Sequence, residues 1–312
     1  MKKTSRAEFL EMMEGIVPWR EWEERIKPYY PAGERGRPPK GIGFMLRMYL
    51  LQIWFNLSDE GTEDALSDSI AMRKFAGMGE DDESPDATTL LRFRRLLEKH
   101  ELGKGMFEEL NRILEEKGYL LRGGTIMDAT IIRASSSTKN RERKRDPEMK
   151  STKKGKNYYF GMKCHIGADA FSGLTHTIKV TAANAADVTV ASELPRPDDR
   201  VAYGDAGYIG IEKRKEIRED EKLSRIEYRI NRRRRSLPKV SDKAIDWERK
   251  MERMKSSVRC KVEFPFRVVK RIFGFRKAVY RGLRKNENRL YMLFASSNLY
   301  ALALAGRTLS PV

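Results

Sequence analysis

The sequence predicts an α/β fold, a mixed central sheet with helices on both faces, behind an all-helical N-terminal domain. Three observations predict it. Residues 43–118 carry helical periodicity throughout. From residue 125 onward, short runs of strand-forming residues alternate with helical stretches, as in a sheet covered by helices. Two of those runs, TIMDATIIRA (125–134) and RVAYGDAGYI (200–209), each deliver one aspartate where an apolar strand should exclude charge. A length of 312 residues suits about two domains, read here as 1–120 and 121–312.

The N-terminal domain opens with a short helix over 7–14, an aromatic patch around Trp19, Trp22, Tyr29 and Tyr30, and a Pro/Gly linker, PAGERGRPPK. Residues 41–57 are the most apolar stretch. It is short and includes Arg47 and Gln52, so it reads as a core helix and not a membrane span. Ser58 and Asp59 cap a helix running to about Met72, and residues 84–86 precede the next. That helix, TTLLRFRRLLEKH, turns Leu90, Leu91, Phe93 and Leu97 to a core and leaves Arg92, Arg94 and Arg95 for solvent or phosphate. The helix pair admits a DNA-reading helix-turn-helix or a packing and dimerising bundle. The acidic balance of the region weighs against the first.

In the second domain, Ile126, Met127, Ile131 and Ile132 make a buried strand around Asp128. A buried carboxylate is costly unless it is paired or binds a cation. After it, residues 135–156 hold nine basic and three acidic side chains and predict a mobile basic loop. Its lysines and arginines suit phosphate contacts. Residues 157–180 read as two strands about a Ser172-Gly173 turn. Asp169 falls at that turn and Asp187 at a helix N-cap, roles that account for both acids. His165 and His176 lie in the hairpin and carry only a weak metal signal.

Asp205 ends the next strand between Gly204 and Gly207, where backbone can turn sharply and a ligand can approach. A charged helix, IEKRKEIRED, then leads to a strand, SRIEYRI, and to the run from Arg232 to Arg235. Residues 246–274 predict a long helix holding Glu263, with Val258, Val262, Val269, Ile272 and Phe273 as its buried stripe. Pro265 predicts a kink there, since it lacks an amide proton and its ring clashes with the preceding turn. For a lone helical glutamate the default partner is a neighbouring arginine, Arg259 or Arg267. The ending, RLYMLFASSNLYALALA, is an amphipathic helix that closes the core.

Charge is unevenly placed. The net charge is +18, yet residues 1–124 carry 20 basic and 23 acidic side chains. Residues 225–289 carry 23 basic against 7 acidic, so the positive excess surrounds Glu263. An acid embedded in cationic surface points to a polyanionic substrate. Two cysteines, Cys164 and Cys260, form neither a disulfide framework nor a zinc spacing and suit a reducing compartment. The basic start of the chain has no apolar run behind it, so it does not read as a signal peptide. A cytoplasmic, nucleoid-associated protein is expected.

The succession of a strand with Asp, a hairpin, a helix, a strand ending in Asp and a helix with Glu suggests an RNase H-like core. The runs DATIIRASSSTKN, KRDPEM, TKKGKNYYFGMKCHIGADAFSGLTH, GDAGY, VEFPFRVVKRIFGF and YRGLRKN resemble DDE-class insertion-sequence transposases, in particular the insertion sequence five group. The likeness extends upstream through NLSDEGTEDAL and TTLLRFRRLLEKHEL, and so covers most of the chain. It implies that Asp128, Asp205 and Glu263 form the acidic triad, with Arg259 and Lys270 as basic companions of the glutamate. One position departs: the wider signature has a tyrosine three residues before that arginine, and this chain has Ser256.

Cleavage of a phosphodiester asks for an activated water and for stabilised charge on the leaving oxygen, which two divalent ions can supply. Hard oxygen ligands suit magnesium or manganese. The expectation is that Asp128 bridges two ions while Asp205 and Glu263 each hold one. The activity expected is cleavage at terminal inverted repeats, then strand transfer of the 3′-hydroxyl into target DNA by a homodimer. Arg259, Arg267, Lys270 and Arg271 are expected on DNA, with Lys139, Arg141, Lys163, Arg232 and Arg233. The alternatives are a non-cleaving DNA-binding descendant of a transposase and a general nuclease on the same fold.

Overall fold

A computed structural model describes residues 3–33, 38–79, 81–233 and 243–309, with 243–245 as backbone alone. It divides into two compact units. One comprises Met1–Lys117, Val269–Phe275 and Asn288–Val312; the other comprises Gly118–Val268 and Arg276–Glu287. The sequence predicts one domain over 121–312, whereas the chain returns twice to the first unit.

The first unit is helical: α1 (Ser5–Glu14), α2 (Trp19–Ile26), α3 (Ile42–Phe55), α4 (Asp59–Asp68), α5 (Ile70–Ala76), α6 (Ala87–Lys99) and α7 (Leu102–Glu116). α3 is its axis, buried on nearly every side from Met45 to Trp54, which explains an apolar run without amphipathic stripes. Phe9, Phe273 and Tyr300 pack edge-on or tilted about one another, and Phe9 also meets Trp54. Ser58 caps α4 as expected, but the helix stops at Asp68, because Ser69 turns to cap a separate α5. Asp86 caps α6. On α6, Arg94 departs from its expected place in solvent. It is buried, and it pairs with Asp59 and Glu98.

The second unit is built on a six-stranded mixed sheet: β1 (Gly124–Arg133), β2 (Lys150–Lys154), β3 (Asn157–Asp169), β4 (Thr175–Ala182), β5 (Val201–Gly204) and β6 (Glu227–Ile230). β3 runs antiparallel to β1, β2 and β4, while β1, β5 and β6 are parallel. Met127 and Ala202 share one face and pack with Leu194, Tyr208, Ile211, Ile217 and Tyr228 into a core. Strand alternation therefore places Asp128 on the opposite face.

Three expectations change here. Residues 211–220 are not one helix: Arg214 is extended and separates a 3-10 turn, Ile211–Lys213, from a single-turn α8 (Lys215–Arg218). Residues 135–156 are not a featureless loop, since Met149 is buried and β2 pairs with β3. The long helix is segmented into α9 (Lys243–Arg259), a 3-10 turn Cys260–Val262, α10 (Glu263–Arg267) and a π-turn Val268–Ile272. The break precedes Pro265 because a proline disturbs the carbonyl four residues back, here Lys261 inside the 3-10 turn. Val262, Val269 and Phe273 of the stripe are buried, while Ile272 is exposed. The chain ends in α11 (Leu283–Leu304). Among the described residues no helix is long and apolar enough to cross a membrane.

Candidate functional site

The parallel register of β1 and β5 sets the first two acids. Gly124 pairs with Val201, Thr125 with Ala202 and Ile126 with Tyr203. Continued two residues further, the same register brings Asp205 level with Asp128. Asp128 Oδ1 accepts from the Ala129 amide at 2.7 Å, and Oδ2 accepts from Arg259 Nη1 at 3.3 Å. The Asp128 carboxyl is pushed up to about 6, chiefly by burial. The Ala129 amide opposes that, the negative charge of Asp205 adds to it, and the Arg259 and Lys154 cations oppose it.

Asp205 leaves β5 as the cap of a 3-10 turn, Ala206–Tyr208, with Oδ1 accepting from the Gly207 amide at 2.7 Å. The glycine has a reason beyond the turn. A Cβ there would stand 2.9 Å from Asp205 Oδ1 and 3.2 Å from Asp187 Oδ2. Two carboxylates thus approach the same bare backbone position.

Glu263 begins α10, four residues past Arg259, and it is exposed. Its carboxylate makes no ion pair or hydrogen bond among the described residues, so the default pairing with Arg259 or Arg267 does not form. Arg259 is engaged with Asp128 instead. Among the described residues no three His, Cys, Asp or Glu side chains converge as a metal-holding group. The fold therefore joins Asp128, Asp205 and Arg259, and leaves Glu263 unpartnered on the adjoining helix.

Residues 120–299 match the Transposase DDE domain family, and residues 1–96 match a second family, Transposase domain (DUF772). The chain belongs to the Transposase DDE domain family. No solved structure matches it. Its mixed sheet flanked by helices is the RNase H-like core of a DNA transposase, and DNA is the partner that membership implies.

The basic side chains expected on that DNA are placed unequally. Lys139, Arg141, Arg267 and Arg271 are exposed. Lys270 and Arg271 belong to the first compact unit, Lys270 half-buried. Arg232 pairs with Glu248 at 3.0 Å, and Arg233 is exposed. Arg234 and Arg235 lie outside the described residues. Lys163 is nearly buried and bonded to Asp187 at 3.0 Å. Elsewhere on the transposase, Lys153 lies over the exposed ring of Tyr158 and Arg133 over Tyr159. Arg133, Tyr158 and Tyr159 line a cleft of about 390 Å³ with Ser136 and Asn157.

Asp169 has the turn role expected of it, accepting from the Phe171 and Ser172 amides. Asp187 does not cap a helix: the 3-10 segment Asp187–Glu193 has no side-chain cap. Its neighbours Lys163 and Gly207 are remote in sequence, so nothing local distinguishes it from the cap its sequence predicts. His165 is held down to about 4, and His176 also low, both chiefly by burial. Each ring meets a threonine hydroxyl, His165 that of Thr181 and His176 that of Thr125.

Proposed function

We propose that this transposase cleaves DNA at the terminal inverted repeats of its element and joins the freed 3′-hydroxyl to target DNA. Asp128, Asp205 and Glu263 are the acids of the reaction, and magnesium or manganese is the cofactor. The observation that carries this reading is that Asp205, just past the end of β5, lies close enough to Asp128 on β1 for its charge to raise the Asp128 carboxyl. Two like charges side by side, one raised toward 6 by burial, are relieved best by a hard cation with oxygen ligands. The donor set fits such an ion. When bound, the cation supplies Lewis-acid stabilisation to the phosphoryl oxygens.

The remaining work falls to the chain itself. Asp128 is fixed by β1 and Asp205 by the capped turn that ends β5, so backbone structure holds both carboxylates in place. Glu263, free of partners, supplies the third carboxylate from α10. Arg259 offsets the charge of Asp128 through Nη1, while its Nε is buried without a hydrogen-bond partner among the described residues. A strand phosphate offers the acceptor that this N–H lacks, so Arg259 orients the scissile strand beside the acids. A homodimer, one copy for each transposon end, is the assembly this reading asks for.

The test uses purified protein, a duplex bearing the transposon end, and magnesium. Asp128→Asn is expected to bind the end as wild type does and to leave it uncut. Nicking by that variant at the wild-type rate would remove Asp128 from the reaction.

A further inference from the structure

Behind Asp205 lies an ion pair that the triad does not use. Lys163, on β3, donates to Asp187 Oδ1 at 3.0 Å and to the Ala185 carbonyl at 2.6 Å. His165, two residues along on the same face and fully buried, has Nδ1 3.7 Å from the same oxygen, without a hydrogen-bond partner among the described residues. The other oxygen, Asp187 Oδ2, is left beside Gly207, facing Asp205 Oδ1 across the space a Cβ would fill. The next residue, Tyr208, is 1% exposed, and its hydroxyl is buried with no hydrogen-bond partner among the described residues. Burial and then the charges of Asp187, Asp128 and Asp205 hold that phenol well above its ordinary range, so the hydroxyl lies in the field of all three.

Neither feature is what a purely structural pair needs. A half-buried lysine–aspartate pair contributes little stability by itself. It has no cause to bring its second oxygen toward another carboxylate, where like charges repel. A buried hydroxyl without an acceptor costs stability as well. Both costs are offset together if a cation and its water occupy the neighbourhood of Asp205. Carboxylates that bind a metal are themselves oriented by an outer layer of hydrogen-bonding groups.

We infer that Asp187, fixed by Lys163, is a positioning residue for the cation bound at Asp205, and that it acts together with the Tyr208 hydroxyl. The inference rests on the acidic-site reading above. Asp187 orients the cation's water shell from the Gly207 side, and the phenol donates to that water or to a carboxylate.

The experiment measures Mn²⁺ binding to the full chain without DNA, by electron paramagnetic resonance or calorimetry, beside thermal melting. Asp187→Asn is expected to weaken Mn²⁺ binding by roughly 10- to 100-fold, with nicking recovered as the cation concentration is raised. Tyr208→Phe is the second variant, for the case in which Asp187→Asn fails to fold. It removes an unsatisfied hydroxyl, so the cation-free protein should melt no lower than wild type while Mn²⁺ binding weakens severalfold. A structural role would not separate those two readouts. Mn²⁺ affinity within twofold of wild type in both variants, with Asp128→Asn abolishing binding, overturns this inference and leaves the triad standing. If Asp128→Asn also binds Mn²⁺ normally, the site reading fails and takes this inference with it.

Discussion

Arg259 Nη1 reaches Asp128 Oδ2 at 3.3 Å, closing 131 residues of chain into one contact. The guanidinium is the cation that most directly opposes the burial of Asp128. Arg259→Gln is therefore expected to raise the Asp128 pKa further above about 6. The acid limb of the nicking pH profile, at a fixed magnesium concentration below saturation, should shift upward by about one pH unit. An unmoved limb with normal DNA binding would show that the contact does not govern the ionisation of Asp128.

Asp128 also makes a prediction about stability. Its folded pKa of about 6 lies above the unfolded value near 3.9, so the folded state holds the proton more tightly. Without a cation, stability is fullest below pH ~4 as far as this group is concerned. It is lost as pH rises toward 6, by on the order of 2–3 kcal/mol. Magnesium reverses the loss by favouring the carboxylate. The gain in Tm on adding magnesium should be small at pH 5 and large at pH 7, and Asp128→Asn should show little gain at either. A gain equal at both pH values would place the cation elsewhere.

Both aspartates were legible because their signals are local: a charge inside a β-branched run, and an acid between two glycines at a strand end. The same holds for the caps Ser58 and Asp86 and for the Ser172-Gly173 turn. What stayed hidden depends on partners far along the chain. Lys163 looks like one more basic residue until Asp187 arrives 24 positions later. Asp187 itself resembles an ordinary cap, since nothing near it in sequence betrays Gly207. Pro265 announced a disturbance correctly, but its consequence falls in the 3-10 turn Cys260–Val262, where the disturbed carbonyl lies.

Arg94 is the clearest case of composition misleading a reading. Within a run of three arginines it is the buried one, pairing with Asp59 across 35 residues and with Glu98. Removing one member of such a pair leaves the other charge buried and uncompensated. Arg94→Ala should lower the stability of the helical unit by about 3 kcal/mol, whereas Arg95→Ala should change it by less than ~0.5 kcal/mol. Urea unfolding followed by far-ultraviolet dichroism measures both. Equal effects would mean that the Arg94 pair contributes nothing.

Within the basic loop, two acids fix the start of α11. Asp146 Oδ2 accepts from the Gly282 amide at 2.7 Å, and Glu148 Oε2 accepts from the Leu283 amide at 2.8 Å. Free amides at a helix N-terminus favour carboxylate acceptors. Asp146→Ala and Glu148→Ala should each cost about 1 kcal/mol. Both should speed hydrogen exchange at Gly282 and Leu283. Unchanged exchange there would show that the loop does not hold this helix end.

The salt dependence of DNA binding separates the basic residues that face solvent from those already paired. Lys139 and Arg141 are exposed, and each phosphate contact on B-DNA adds about 0.9 to the slope of log K against log salt. Replacing both with alanine should reduce that slope by about 1.8 if each meets one phosphate. Lys163→Ala should leave the slope unchanged, because its ammonium is bonded to Asp187 and the Ala185 carbonyl. Titrations of the transposon-end duplex at several salt concentrations give all three slopes. A fall for Lys163→Ala, with none for the double variant, would reverse the assignment: the hairpin face would meet phosphate and the basic loop would not.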